Sequence, residues 1–87
     1  MNRHQRLLRR ILSGQADANI RFRDVKALLL ALGFDERIRG SHHIYELPGL
    51  PEVVTLQPQG TNAKRYQVRQ LRKLLIQYQL FELLEDD

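Results

Sequence analysis

The sequence predicts an α+β domain: a three-stranded antiparallel sheet with helices packed on one face, preceded by an N-terminal helical extension. Apolar residues recur with a helical period in three segments, and three short segments of strand-like alternation separate the second from the third. Tight connections between short strands favour antiparallel pairing, and helices covering one face of such a sheet bury its apolar side. At 87 residues the chain is about one small domain.

The first helix is predicted over residues 3–12. Leu8, Ile11 and Leu12 fall on one stripe with Leu7 beside it, and the opposite side carries Arg3, Arg6, Arg9 and Arg10. Ser13-Gly14 ends the pattern, and residues 15–20 form a connector.

The second helix begins at Arg23-Asp24, where Asp24 serves as a cap or as a first-turn acid. Its apolar positions follow at helical spacing, and they are Val25, Leu28, Leu29 and Leu32. Gly33 stops the helix, as a glycine just after a helix C-terminus commonly does.

Strands are predicted over residues 34–39, 42–47 and 52–57. Gly40-Ser41 is the turn between the first two, residues 48–51 (PGLP) form a loop, and Pro58 and Gly60 close the third. The helical period then returns from a start between about Asn62 and Tyr66. Its apolar face carries Val68, Leu71, Leu75 and Tyr78, and residues 80–84 could continue it.

Several function classes are excluded by what the sequence lacks. Without cysteine it has neither disulfides nor thiolate metal sites, and no apolar run approaches the ~20 residues of a membrane span. No apolar signal segment follows the N-terminal charges, so we expect a soluble, cytoplasmic protein. His4 lies far from the other histidines and no phosphate-loop or dinucleotide motif occurs, so neither a metal nor a small-molecule cofactor is expected.

Charge is unevenly distributed along the chain. All 14 lysines and arginines lie between Arg3 and Lys73, whereas four of the ten acids lie in the last six residues. A basic domain with an acidic C-terminal tail is typical of proteins that bind a polyanion, most simply nucleic acid. The alternative is a charged surface that only confers solubility.

Two features could carry chemistry. The pair His42-His43 follows Gly40-Ser41, a turn that would let a phosphate approach closely. A histidine can give or take a proton near neutral pH. Because strand alternation sends the two histidines to opposite faces, we expect only one of them to belong to a site. The second feature is a basic stripe on the last helix, which includes Lys64, Arg65, Arg69 and either Arg72 or Lys73. Two surface histidines and a solvated charged face are the alternatives. Together the two features favour a phosphodiester substrate.

The segments FRDVKALLLALGFDERIRGSHHIYEL and VVTLQPQGTNAKRYQVRQLRKLL resemble the HicA, or YcfA-like, family of bacterial toxins over roughly residues 20–80. The resemblance implies a fold similar to a double-stranded-RNA-binding domain. It also implies an endoribonuclease that cleaves messenger RNA without a metal and so blocks translation. A HicB-type antitoxin would bind the toxin and cover its histidine.

The family motif also implies roles for single residues. The histidine directly after Gly-Ser is usually catalytic, which indicates His42; some members carry it one position later, which would be His43. The residues expected to contact RNA are Gly40, Ser41, Lys64, Arg65, Arg69, Arg72 and Lys73. Many members have a second histidine where this chain has Gln59, which cannot transfer protons.

The predicted organisation is therefore a basic extension over residues 1–20, a HicA-like domain over 21–80 and an acidic tail over 81–87. The extension could add RNA affinity, contact the antitoxin or complete the core. Two other functions stay open: a non-catalytic RNA-binding module of the same fold, and a protein-interaction domain whose basic surface docks an acidic partner.

Overall fold

A computed structural model describes residues 1–84, so that residues 85–87 of the predicted acidic tail lie outside the described residues. The structure confirms the α+β class. Its helices and strands are α1 (Arg3–Ser13), α2 (Phe22–Ala31), β1 (Asp35–Arg39), β2 (His42–Glu46), β3 (Val54–Leu56), β4 (Pro58–Gln59), β5 (Asn62–Ala63) and α3 (Arg65–Gln77). Short 3-10 helices cover Asp17–Asn19 and Leu80–Leu84.

The main sheet has the order β1-β2-β3 and both pairings are antiparallel. A two-residue turn, Gly40-Ser41, joins β1 to β2 so that Arg39 pairs with His42. Gly40 has a φ of 59°, and a positive φ at only the first central residue is the signature of a type II′ hairpin turn. This turn fixes the register of β2, the central strand.

The two faces of this sheet differ in burial. Tyr45, Val54 and Leu56 point to one face and are buried, whereas the opposite face carries the exposed Arg37 and His42. The buried face shares one apolar core with α2 and α3, whose contributions are Val25, Leu28, Leu29, Val68, Leu71 and Leu75. The prediction of helices on one face of a three-stranded sheet is therefore confirmed.

The N-terminal helix is integrated into this core. Leu8 and Ile11 are buried in it, and α1 packs against both α2 and α3. Asn2 and Gln5 form a reciprocal capping box at the start of the helix, each side chain accepting a hydrogen bond from the other's backbone N–H. The four arginines of α1 remain exposed on the outer side.

The region between β3 and α3 differs from the prediction. The predicted third strand, residues 52–57, is only Val54–Leu56 in the structure. After β3 the chain forms a second hairpin, β4–β5, in which Gln59 pairs with Asn62. Its turn begins with Gly60, which has a positive φ of 62°. An isolated bridge between Arg21 and Asn62 joins this hairpin to the start of α2.

The third helix begins within the predicted range and ends at Gln77. Gln79 has a φ of 54°, a left-handed conformation that does not continue an α-helix. The chain then turns into the 3-10 helix Leu80–Leu84, whose first residue is buried in the core. Residues 80–84 are thus a separate element and not an extension of α3.

A buried ion pair connects the 3-10 turn Asp17–Asn19 to α3. The Asp17 side chain is only 7% exposed, and its Oδ1 accepts a hydrogen bond of 2.8 Å from Nη1 of Arg72. The same Nη1 donates to the carbonyl of Ile11 at 3.3 Å, and Nε of Arg69 lies 3.6 Å from Oδ2 of Asp17. This cluster joins α1, the 3-10 turn and α3.

Replacing Asp17 by asparagine is expected to destabilise the fold by about 3 kcal/mol, because Arg72 would lose the carboxylate that compensates its partly buried charge. Urea unfolding of the two proteins measures the difference. Asp24→Asn is the matched control, since its carboxylate is more exposed and lies 4.0 Å from Arg23; it should cost less than about 1 kcal/mol. Equal losses in the two variants would contradict a structural role for the Asp17 cluster.

Candidate functional site

His42 is the first residue of β2 and lies on the open face of the sheet, directly after the Gly40-Ser41 turn. Since His43 pairs with Leu56, the next position of the same register sets Gln57 opposite His42. Nε2 of His42 and Nε2 of Gln57 are 3.4 Å apart. The histidine is exposed to solvent, as a group that meets a large substrate must be.

The Gln57 carboxamide links His42 to the start of α3. Its Oε1 accepts hydrogen bonds from Nζ of Lys64 at 3.3 Å and from Nε2 of Gln67 at 3.2 Å. Gln67 is 4% exposed, and its own Oε1 accepts the backbone N–H of Gln57 at 2.7 Å. One amide therefore contacts the candidate catalytic histidine on one side and a lysine on the other.

These contacts define which atom of each amide faces which neighbour. The backbone N–H of Gln57 can only donate, so Gln67 must present its Oε1 to it. The Nε2 of Gln67 then faces the side-chain carboxamide of Gln57. Lysine Nζ also can only donate, so Gln57 must present its Oε1 to Lys64 and its NH2 group to His42. Nε2 of His42 is then the acceptor, which leaves the ring proton on Nδ1. An imidazole in this tautomer has its lone pair at Nε2 and can act as a base there once another donor displaces the Gln57 NH2 group.

The predicted RNA-contacting residues do not all gather at this site. Gly40 and Ser41 precede His42 in an exposed turn, and Lys64 and Arg65 follow β5 at the start of α3. Arg69 is 57% exposed one turn further along α3 and also faces Asp17.

Two of the predicted contacts lie elsewhere. Arg72 is held by Asp17 and by the carbonyl of Ile11 at the junction with α1. Lys73 lines a groove of about 300 Å³ between α3 and β3, together with Glu52. The contacts of His42 thus lead through Gln57 to Lys64, and helical spacing alone did not separate Lys64 and the neighbouring Arg65 from Arg72 and Lys73.

His43 occupies a different environment on the helix side of the sheet. Its side chain is 17% exposed, and its Nδ1 lies 3.4 Å from Oε2 of Glu36. The ring packs edge to face against Phe22 of α2, with centroids 4.7 Å apart. The predicted alternation of the two histidines is observed: His43 packs against α2, and His42 faces solvent.

Glu36 is the acceptor at the centre of a polar cluster on this side. Its Oε2 accepts a hydrogen bond of 2.6 Å from the buried Tyr45 hydroxyl and lies 3.4 Å from Nζ of Lys26. The Tyr45 hydrogen bond, with smaller contributions from His43 and Lys26, holds the pKa of Glu36 below its ordinary value of 4.5 despite partial burial. Burial and the Glu36 carboxylate raise the pKa of Tyr45, so its hydroxyl stays a donor at neutral pH.

Gln57 and Gln67 are the site residues that sequence reasoning missed. Neither belongs to a motif, and glutamine is ordinary at a strand end or on a helix. Alternation along β3 puts Gln57 on the open face of the sheet, where His42 lies, but the loop over residues 47–53 leaves the register between β2 and β3 open in the sequence. No comparable signal in the sequence indicates Gln67, because its contact joins α3 to β3 across the fold.

The described residues contain no cluster of three or more histidine or carboxylate side chains that could hold a metal ion. Within residues 1–84, no helix has the length and apolar character needed to cross a bilayer.

Comparison with protein-family models matches residues 22–78 to the family described as the HicA toxin of bacterial toxin–antitoxin systems. The matched span covers more than half of the chain. It runs from the first residue of α2 to the residue after α3, and so includes His42, His43, Gln57 and Lys64. Searches of curated proteins and of solved structures give no match.

The Glu36 cluster predicts a pH-dependent contribution to stability. A carboxylate whose pKa is lower in the folded than in the unfolded state stabilises the fold at pH values above its unfolded-state pKa. That stabilisation is lost as the pH falls through the folded-state pKa. At pH 7, Glu36→Gln should therefore be less stable than the parent by about 1 kcal/mol, the difference between a charged and a neutral hydrogen-bond acceptor.

The difference between the parent and Glu36→Gln should shrink once the pH falls below 4.5. Chemical unfolding of both proteins at pH 7, 5 and 3 measures it. A difference that stays constant from pH 5 to pH 3 would show that the charge of Glu36 does not stabilise the fold.

Proposed function

The chain belongs to the HicA toxin family of bacterial toxin–antitoxin systems, and from that premise we propose that it is a metal-independent endoribonuclease that cleaves messenger RNA and so inhibits translation. The observation that carries the proposal is the contact of His42 with Gln57. It assigns the lone pair of an exposed histidine to Nε2, and the same amide binds Lys64. A base and a cation are thereby held at one end of the sheet.

In the proposed reaction an RNA 2′-hydroxyl displaces the Gln57 NH2 group as the hydrogen-bond donor to Nε2 of His42, and Nε2 takes the hydroxyl proton. The O2′ atom attacks the adjacent phosphorus, the O2′–P bond forms, and the P–O5′ bond breaks. The electron pair leaves on O5′, which takes a proton from water. The products carry a 2′,3′-cyclic phosphate and a 5′-hydroxyl, and no metal ion takes part. Positioned proton transfer of this kind contributes about 10²–10⁴-fold to the rate.

Cations at the start of α3 supply the second contribution. Lys64 and Arg65 would offset the negative charge on the phosphate as the transition state forms, and the exposed Arg69 would bind the RNA backbone. The Gly40-Ser41 turn has no bulky side chain, so a phosphate can approach the first residue of β2. Arg72 is assigned to the fold because Asp17 engages its guanidinium.

The partner within the cell follows from the same assignment. A toxin of this family is paired with an antitoxin. We assign this role to a HicB-type protein that covers the exposed His42, and a messenger RNA substrate implies that the pair acts in the cytoplasm. A protein of this kind would block the site by burying the open face of the sheet around His42.

The first test is RNA cleavage in EDTA by the purified chain and by His42→Ala. The variant should lose cleavage by about 10²–10⁴-fold while it still binds RNA, because only the proton acceptor is removed. His4→Ala removes a histidine of α1 and is the matched control; it should cleave like the parent.

Three outcomes contradict parts of this proposal. Loss of activity in His43→Ala but not in His42→Ala would move the catalytic role to the half-buried histidine. Cleavage of a substrate without 2′-hydroxyls would reject the mechanism. RNA that is bound by the parent but stays intact would leave a non-catalytic RNA-binding module of the same fold.

Gln57→Glu tests the contact between His42 and the amide. The new carboxylate could still accept from Lys64 and Gln67, but it would present a negative charge to His42 in place of an NH2 group. Because a nearby carboxylate favours the protonated imidazole, the pH profile of cleavage should shift to higher pH by about one unit. Gln77→Glu, an exposed residue at the far end of α3 from Lys64, is the control for added charge. An unchanged profile in Gln57→Glu would contradict His42 as the titrating base.

A further inference from the structure

We propose that Tyr66 stacks on a base of single-stranded RNA beside the cleaved phosphate, at a cleft between the β4–β5 hairpin and α3. The proposal rests on the function proposed above and names a binding subsite for the same substrate. The cleft consists of two adjoining cavities of about 420 and 450 Å³ that share Gln59 and Arg65. The first cavity is completed by Lys64, Tyr66 and Arg69, and the second by Ala18, Asn62 and Ala63.

The exposure of Tyr66 sets it apart from the other two tyrosines of the chain. Tyr45 is fully buried in the core, and the half-buried Tyr78 donates a hydrogen bond of 2.6 Å to Glu52. Tyr66 is 52% exposed, and its hydroxyl accepts a 3.4 Å hydrogen bond from Nε2 of Gln67. The aromatic ring is thus anchored at its polar end and open to solvent.

The lining of the cleft is polar and cationic. Lys64, Arg65 and Arg69 contribute positive charge, and none of the aspartates and glutamates within residues 1–84 lines either cavity. An aromatic ring among cations is the combination with which proteins bind single-stranded nucleic acid: the cations contact the phosphates, and a base stacks on the ring. A duplex keeps its bases stacked and cannot present one to Tyr66, so the cleft selects single-stranded RNA.

The cleft is connected to the candidate catalytic residue through named contacts. Lys64 lines the first cavity and donates to Gln57, which in turn contacts His42. Gln67 contacts both Gln57 and Tyr66. A strand whose phosphate lies at His42 and Lys64 therefore has its neighbouring nucleotide at the cleft. The β4–β5 hairpin, which forms one side of it, belongs to the binding surface.

The test measures binding of a fluorescent single-stranded 2′-O-methyl oligonucleotide of about 10 nucleotides, a length within the known range of single-strand site sizes. Because it lacks free 2′-hydroxyls, it stays intact in the proposed mechanism. Tyr66→Ala should bind it about tenfold or more weakly, and Tyr66→Phe should bind within about twofold of the parent, since stacking needs only the ring. Ile76→Ala removes another exposed apolar side chain of α3, 54% exposed, and should leave binding unchanged.

The salt dependence separates stacking from charge. Tyr66→Ala should weaken binding at every salt concentration and leave the slope of log K against log [salt] unaltered. Arg65→Gln should reduce that slope by about 0.7, the value for one phosphate contact in a single strand. Arg9→Gln removes an exposed arginine of α1 and is the matched charge control, with no change of slope expected.

Two results would overturn the subsite. In the first, Tyr66→Ala binds the oligonucleotide as tightly as Tyr66→Phe does. In the second, Tyr66→Ala and Ile76→Ala lose the same amount of affinity. An equal slope change in Arg9→Gln and Arg65→Gln would reject the cleft as the path of the phosphates. Failure of the proposed function is distinguishable. If the parent leaves RNA intact but Tyr66→Ala still loses affinity, the subsite stands and the nuclease is rejected. If cleavage depends on His42 but Tyr66→Ala binds the oligonucleotide as tightly as the parent, the proposed nuclease stands and the subsite is rejected.

Discussion

The register of β2 is the constraint on which the rest of the site depends. Successive residues of a strand point to opposite faces, so a slip of one residue would turn His42 into the core and His43 out to solvent. The two-residue Gly40-Ser41 turn fixes the pairing with β1, and the fully buried ring of Tyr45 fixes which face is covered. Because both constraints act on one short strand, the fold itself selects which of the two histidines is exposed to solvent.

From this register, a chain of amide contacts extends to α3. A backbone N–H fixes the orientation of the Gln67 amide, Gln67 and Lys64 fix that of Gln57, and Gln57 fixes the tautomer of His42. Each step follows from a donor that has no acceptor capacity. The proton-accepting nitrogen is therefore determined by contacts between β3 and α3. The same contacts hold a cation near the imidazole without a direct pairing to it.

The sequence allowed the three helices, the three-stranded sheet and the alternation of His42 and His43 to be predicted, because these features repeat along the chain with a period. The β4–β5 hairpin could not be predicted, since strands of two residues are too short to show alternation. Gln57 and Gln67 were missed because their roles come from a contact across the fold. The likeness to a double-stranded-RNA-binding domain stays an expectation from the family resemblance.

The basic stripe of α3 shows the same limit of sequence reasoning, because helical spacing groups cations that the fold then separates. Asp17 lies in the 3-10 turn before α2. Because its carboxylate is buried, its negative charge must be compensated by a cation. Arg72 supplies this cation, whereas Arg65 remains exposed. Residues before 22 lie outside the span that matches the family, yet they provide this carboxylate and the apolar cover of Leu8. The N-terminal segment thus belongs to the fold that positions the candidate site, since it helps to determine which cations of α3 remain exposed on the proposed RNA-binding surface.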